Sequence, residues 1–458
     1  VSATTTPTAD LAEFAATLRF EDIPPEVVTH AKLCLLDTLG CGLFGSTLPW
    51  VRIVRDTVAH IDTGSAAGLW ASGRTASVSH AALVNGTAIH AFELDDLHPR
   101  SIVHPGSVVV SAAMAAAAHA GGVSGKDFLT AMIAGYEVAA RVGMSMGAAH
   151  LSQGWHPTGT HGTLGAAAGA GSILGLSSEQ MLHAIGTAGS QSSGLMSAQF
   201  SSMVKRLNAG HAAQSGLVAA LLAQQGFLGI PDLLENEYGG YLSTFSPTSS
   251  QELITQGLGE VWQIAQVGFK PYSTNGSCHP AIDALLDMRS SAGITADDVA
   301  EVVIHCSTAT FKHVGWPYEP VSVTSAQMNL PYIVAVVLTD GDAFIDQFSD
   351  ERIVDPRLIE FSRRVSVVPD ARIDAGGDRL RHKTRIEVLL RDGSSLKDER
   401  THAKGSASSP LPGEDIERKF FKLATKAVSR EQADTVRNIV GSVEFLPSIG
   451  VLADAISG

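Results

Sequence analysis

The stretch His90 to Gly106, HAFELDDLHPRSIVHPG, is the part of the chain best supplied with residues that can do chemistry. It holds His90, His98 and His104, the carboxylates Glu93, Asp95 and Asp96, and Arg100, broken by Pro99 and Pro105. A free imidazole titrates near ~6.5, so a histidine can take a proton from carbon or return one at neutral pH. A core helix would not carry so many ionisable groups, because burying unpaired charge is costly. A solvated loop would hold more Ser, Lys and Gly. Two readings are open: a pocket built on rigid elements, or a charged interhelical turn that packs by ion pairs.

Three further polar islands interrupt apolar helices. Gly154 to Thr163 contains Trp155, His156 and His161. His156 is a candidate that Trp155 could shield from water, or else a packed loop histidine. Ser201 to Asn208 contains Lys205 and Arg206. With Asn208 read as the cap of a helix over 209–225, this pair precedes a helix N-terminus, where free N–H groups and the dipole favour an anion. Lys205 adds a point charge for a carboxylate, with Arg206, Arg100 and Lys270 read as further cations that help to bind an anionic substrate. The alternative is a solvated Lys-Arg pair. Phe269 to Pro280 contains Lys270, Tyr272, Cys278 and His279. Lys270 and Tyr272 offer charge and a hydroxyl, and His279 resembles His156 in its position before a helix.

Asp95 and Asp96 adjoin, and neighbours need not face the same way, so they are not read as a proton-sharing dyad. Asp96 is read as orienting an imidazole or binding a substrate hydroxyl. Asp95 is read as a helix-end charge or an ion pair with Arg100. Cys278 has no assignable thiolate-stabilising partner. An HExxH spacing is absent, and His98 and His104 are separated by six positions with prolines around them, so no catalytic metal is expected.

These islands need rigid elements to position them. The chain has 458 residues, 45% hydrophobic and 17% charged, enough for two or three domains and a large core. Proline at 24–25 opens a helix that Gly40, Gly42 and Gly45 are expected to close. Residues 65–80 read as a polar connection, followed by helices over 78–92 and 107–120. Ser124 caps a helix over 128–146, another ends near Gly175, and Ser177 caps the next. No strand pattern is found before about residue 260. After Gly268 the character changes: a helix at 281–290, a strand at 299–306, helices near 324–338 and 356–364, and a strand at 384–390 with a hairpin turn at 391–394. Helices return at 413–425 and 429–440. The reading is mainly α: an all-helical domain over 1–266, a smaller α+β lid domain over 267–405, and a helical segment, 406–458, rejoining the first.

The net charge of −14 without a Lys/Arg run argues against nucleic acid as a partner. No apolar run reaches ~20 residues without polar interruption, so no transmembrane helix is expected. No signal peptide is read at the N-terminus. The four cysteines form no CxxC pair, and a reducing, cytoplasmic setting fits them.

Taken in order, the motifs resemble the MmgE/PrpD family. They are Asn85 to His90 through His104-Pro105-Gly106, Gly154 to Thr160, Ser202 to Leu207, Phe269 to Tyr272, Cys278-His279-Pro280 and Ser325 to Tyr332. The resemblance implies a large helical domain, a lid domain with the pocket between the two, a homodimer, no cofactor and no metal. It implies active-site roles for Asp96, His104, His156, Lys205 and His279, with Glu93 at an often acidic position. Leu97, His161 and the spacing around Arg100 depart from the family pattern. The implied chemistry is proton transfer α to a carboxylate of a small di- or tricarboxylate, with dehydration expected first. Decarboxylation and epimerisation use the same parts. A helical binding or scaffold protein without turnover is the remaining reading.

Overall fold

The computed structural model describes Thr6 to Gly458, apart from the side chain of Asp378. The protein is mainly α-helical. It divides into two compact units. One comprises the chain up to Met196, with Val204–Phe269 and Pro412–Gly458; the other comprises Ser197–Met203 and Lys270–Leu411.

The first unit is a bundle whose centre is built from small residues. The helices Pro105–Ala120, Gly125–Ser152, Pro157–Ile173 and Val204–Gln224 pack on one another, and Val78–Ile89 joins them. Residues 105–117 are all buried, which the Val/Ala/Met composition of that helix requires. Glycine sets how closely the helices approach: a Cβ on Gly135 would lie 2.7 Å from the carbonyl oxygen of Gly165.

Several sequence expectations change here. Gly40, Gly42 and Gly45 do not close their helix, which runs Pro25–Ser46. They are contact points instead: a Cβ on Gly45 would fall 1.8 Å from the Ala88 carbonyl oxygen, and one on Gly42 would strike Trp70. By length and composition this helix is apolar enough to cross a membrane, but 78% of its apolar window is buried inside the protein. It serves as a core helix packed on Val78–Ile89 and Gly413–Ala424. The helix expected to stop at Met146 continues to Ser152 across a kink at Gly147. The polar connection at 65–80 includes a small antiparallel ribbon, Ala67–Leu69 with Arg74–Ala76. The helix read as starting after Asn208 starts at Val204, so Lys205 and Arg206 lie in its first turn.

The second unit centres on a four-stranded sheet. Its order is Val365–Pro369, Val299–Cys306, Thr384–Leu390, Ser395–Arg400. The first pairing is parallel and the other two antiparallel. The edge strand Val365–Pro369 was not read from the sequence; it is short and ends in a proline. The helix expected over 324–338 is two, Val323–Gln327 and Leu330–Asp340, because Asn329 caps the second by accepting from the Tyr332 N–H.

Candidate active site

The charged stretch is a loop between the helices Val78–Ile89 and Pro105–Ala120, and almost all of it is buried. His90 follows the last turn of the first helix, and His104 caps the start of the second, with Pro105 at its first position. Asp95 lies between the two imidazoles. His90 Nδ1–H donates to Asp95 Oδ2 at 2.7 Å, and His104 Nδ1 is 3.3 Å from Asp95 Oδ1. Burial pushes the Asp95 carboxyl up, but the imidazoles of His104 and His90 outweigh it and hold the group well below the usual carboxylate range. Asp95 is therefore an anion set between two rings, hydrogen-bonded to His90 and within ion-pair distance of His104. Burial, with Lys205 and His104 nearby, lowers His90 to about 4 against the pull of Asp95, so it is neutral at pH 7.

His156, the N-cap of Pro157–Ile173, packs its ring 5.4 Å from that of His90. Burial foremost, then Lys205 and the other two imidazoles, holds it well below the ordinary histidine value. His104 is the most exposed of this group, at 8%, while His90 is fully buried.

Across from the imidazoles, Glu93 pairs with both Lys205 and Arg206. Two cations in the first turn of a helix oppose its dipole, and the Glu93 carboxylate offsets that. Glu93 reaches them from a left-handed backbone with φ 56°. For a residue other than glycine this costs roughly 1–3 kcal/mol, and such residues cluster at functional sites.

Asp96 faces the other way. It accepts from Tyr136 Oη–H at 2.8 Å and from the Gly106 N–H at 3.0 Å. Burial, with Asp37 and Asp95 nearby, raises its carboxyl well above the ordinary value. A side chain at Gly106 would collide with this group, since its Cβ would lie 2.2 Å from Thr38 Oγ1 and 2.9 Å from Asp96 Oδ1. Lys419 ties the back of the loop down, reaching Asp37 at 2.6 Å and the Leu94 carbonyl at 2.5 Å.

His90, Asp95 and His104 also offer three ligand atoms within 4.8 Å of one another, a set able to hold a metal ion. The 2.7 Å contact of His90 with Asp95 is that of a hydrogen bond, and the charge of Lys205 acts on His90 in a way that disfavours a second cation.

The loop thus sets the imidazoles of His90, His104 and His156 together, with Lys205 and Arg206 paired to Glu93 on a neighbouring helix, residue types able to move a proton and to hold an anion. The chain is also similar to known proteins. The MmgE/PrpD N-terminal domain matches residues 9–253 and the MmgE/PrpD C-terminal domain residues 272–444. The chain belongs to the MmgE/PrpD family. It is 33% identical to a cis-aconitate decarboxylase-like protein of Aspergillus oryzae, over 98% of this chain and 97% of the relative. It is 30% identical to a cis-aconitate decarboxylase of Aspergillus terreus, over 98% and 96%. A mitochondrial 2-methylcitrate dehydratase of Yarrowia lipolytica is 24% identical, over 80% of this chain and 74% of the relative.

Within this MmgE/PrpD chain, the first unit brings together Glu93, His104, His156, Lys205 and Arg206. It sets Asp96 behind them. Arg100 is exposed. Asp95 is fully buried against His90 and His104, a correction to the sequence reading of an ion pair with Arg100. Lys270, Tyr272 and His279 lie in the second unit. There Tyr272 Oη–H donates to Asp283 at 2.7 Å, and its ring meets that of His279 edge-on at 5.2 Å. The sequence reading gave no role to His90. The signal was present: His90 lies five positions before Asp95 and at a helix end, like His104 and His156.

Proposed function

We propose that the protein is a lyase acting on a small tricarboxylate of the cis-aconitate type, and that it removes CO₂. The observation that carries this is the pairing of His104, oriented by Asp95, with the Lys205–Arg206 cation pair in one buried site. The decarboxylases among the relatives, alike over nearly their whole length, put decarboxylation ahead of the dehydration that the motifs alone suggested. Lys205 and Arg206 hold substrate carboxylates, and Glu93 sets their geometry. The bond to the departing carboxylate breaks, its electron pair shifts the double bond by one carbon, and a proton from His104 is added at the far carbon. His156, kept neutral, donates a hydrogen bond without adding charge, while His90, whose one N–H is committed to Asp95, presents Nε2 as an acceptor. No group beyond the side chains is needed for these steps.

Dehydration is the second reading, favoured by the 2-methylcitrate dehydratase relative, and it uses the same groups to protonate a leaving hydroxide. One experiment separates them. Purified protein is incubated in deuterated water with cis-aconitate, and in parallel with 2-methylcitrate, and followed by proton NMR. Decarboxylation gives an unsaturated dicarboxylate carrying deuterium at one carbon. Water loss from 2-methylcitrate with no change in cis-aconitate would overturn the first reading, and no turnover of either would overturn both.

A further inference from the structure

A second set of buried histidines lies behind the site loop, and the reaction as described does not use it. His161, on the helix Pro157–Ile173, is 1% exposed. Its Nε2 lies 3.1 Å from the carbonyl oxygen of Ser101. A carbonyl only accepts, so Nε2 carries the proton. On the other side of the same residue, the Ser101 N–H donates to His98 Nδ1 at 3.1 Å, and the Ser101 hydroxyl donates to that nitrogen at 2.8 Å. Ser101 is thus gripped through both its N–H and its carbonyl.

The backbone just beyond Ser101 needs such a grip. Ile102 has φ 60°, a left-handed conformation that is costly for a β-branched residue. Its N–H returns to the His98 carbonyl at 2.9 Å, while the His98 N–H donates to the Val103 carbonyl at 3.0 Å. The turn over 98–103 therefore closes on itself and delivers the chain to His104. It would relax if Ser101 were released. Space for the grip is made by Gly143: a Cβ there would lie 2.5 Å from Ser101 Cβ and 2.8 Å from His161 Cδ2 and Nε2. His150 backs the assembly. Its Nδ1–H donates to the Phe245 carbonyl at 2.9 Å, so its Nε2 accepts from the Thr160 hydroxyl at 2.8 Å, and its ring packs 5.0 Å from that of His161. All of these residues belong to the first unit.

We propose that His161 is a positioning residue: its neutral ring clamps Ser101, holds the turn over 98–103 in its unfavourable conformation, and so fixes His104 for proton transfer. This rests on the reading of His104 as the proton-transfer group. Burial, with His150 nearby, keeps His161 well below the ordinary histidine value, which preserves the donor at neutral pH.

The test uses the full chain and cis-aconitate as probe. His161→Leu keeps the bulk and removes the donor; His161→Gln keeps an N–H donor. His161→Leu is expected to lower kcat by about 10–100-fold, the scale of a displacement of ~1 Å, with KM within about twofold. His161→Gln is expected to restore most of the rate. Hydrogen–deuterium exchange of the peptide spanning 98–106 is expected to quicken in His161→Leu and to stay near wild type in His161→Gln. Should His161→Leu not fold, Gly143→Ala loads the same clamp and carries the same comparison. Wild-type kcat in His161→Leu, or a loss confined to KM, would overturn the proposal, and so would His161→Gln behaving like His161→Leu. If the wild-type protein does not turn over cis-aconitate, the proposed reaction fails, and the exchange comparison alone decides the clamp.

Discussion

Lowering the pH from 7 to 5 should destabilise this protein by an amount comparable to the whole stability of an ordinary domain. Burial lowers His98 to about 3, and burial likewise lowers His90 and His150 to about 4. The same side chains titrate near ~6.5 once the chain unfolds. A histidine held neutral in the fold binds fewer protons than its unfolded counterpart below that value. Its contribution is therefore intact above about 6.5, is lost as pH falls, and stops changing only below the folded value. At pH 5 the gap is ~1.5 units, or about 2 kcal/mol for each group and about 6 kcal/mol for the three, against a typical total of 5–15 kcal/mol. His156 and His161, also lowered by burial, act in the same direction. Asp96 and Glu137 act oppositely, since burial raises both and each favours the fold at low pH. His30 and His382 are also lowered by burial and Asp283 is also raised by it, so seven histidines act toward destabilisation and three carboxyls against it. Asp95, held low by its imidazoles, enters only below pH 4. The assay is the urea midpoint of the full chain at pH 7.5, 6.5, 5.5 and 5.0. A midpoint that stays level or rises toward pH 5 would refute the claim that these imidazoles are buried neutral.

Three other outcomes are expected. His104→Gln should stay folded and lose about 10²–10⁴ in proton exchange at the reacting carbon, measured by NMR in deuterated water; exchange at the wild-type rate would pass the role to His156 or His279. Lys205→Ala should raise KM and slow turnover while leaving the thermal transition in place, because Arg206 still pairs with Glu93; unaltered kinetics would remove Lys205 from the anion subsite. Prolonged chelation should leave turnover intact, and activity lost to a chelator and regained only with a divalent ion would make His90, Asp95 and His104 a metal site instead.

The islands were legible because polar residues at the ends of Ala-rich helices have few structural uses. His104 and His156 both directly precede prolines at helix starts, a pattern visible without coordinates. Which of two adjacent carboxylates meets the imidazoles was not legible. Asp95 and Asp96 point opposite ways, and the loop's path decides which way is inward. The pairing of Glu93 with Lys205 and Arg206 was hidden for two reasons. It depends on a left-handed backbone at Glu93, which its residue type does not announce, and on a helix that starts four residues before the Asn208 cap expected from the sequence. Glycines misled in the helix Pro25–Ser46, where a lone sequence does not distinguish a helix end from a site of close packing.

The proposed substrate is an anion and the protein is acidic overall, so the charges around the loop must do the attracting locally. Burial and its carboxylate neighbours raise Asp96 well above the usual carboxylate range, which favours its neutral form, and it accepts from Tyr136 and from the Gly106 N–H. The anions that remain are Asp37, Glu93 and Asp95, and Lys205, Arg206 and Lys419 are the buried cations set against them. Lys419 is committed to Asp37 and to the loop backbone. Asp95 is committed to the two imidazoles. Glu93 is the carboxylate that meets both Lys205 and Arg206, which gathers two cations at one point inside a chain of net charge −14. Charge-assisted bonds are worth about 1.5–3 kcal/mol each, so the two that Glu93 makes exceed the roughly 1–3 kcal/mol of its backbone conformation. The conformation is thus offset by the pairing itself, and Glu93 holds Lys205 and Arg206 in place for the proposed carboxylate. An Asp at position 93, one methylene shorter, would have to move its backbone to meet both cations, which makes the residue at 93 a point where the geometry of the anion subsite is set.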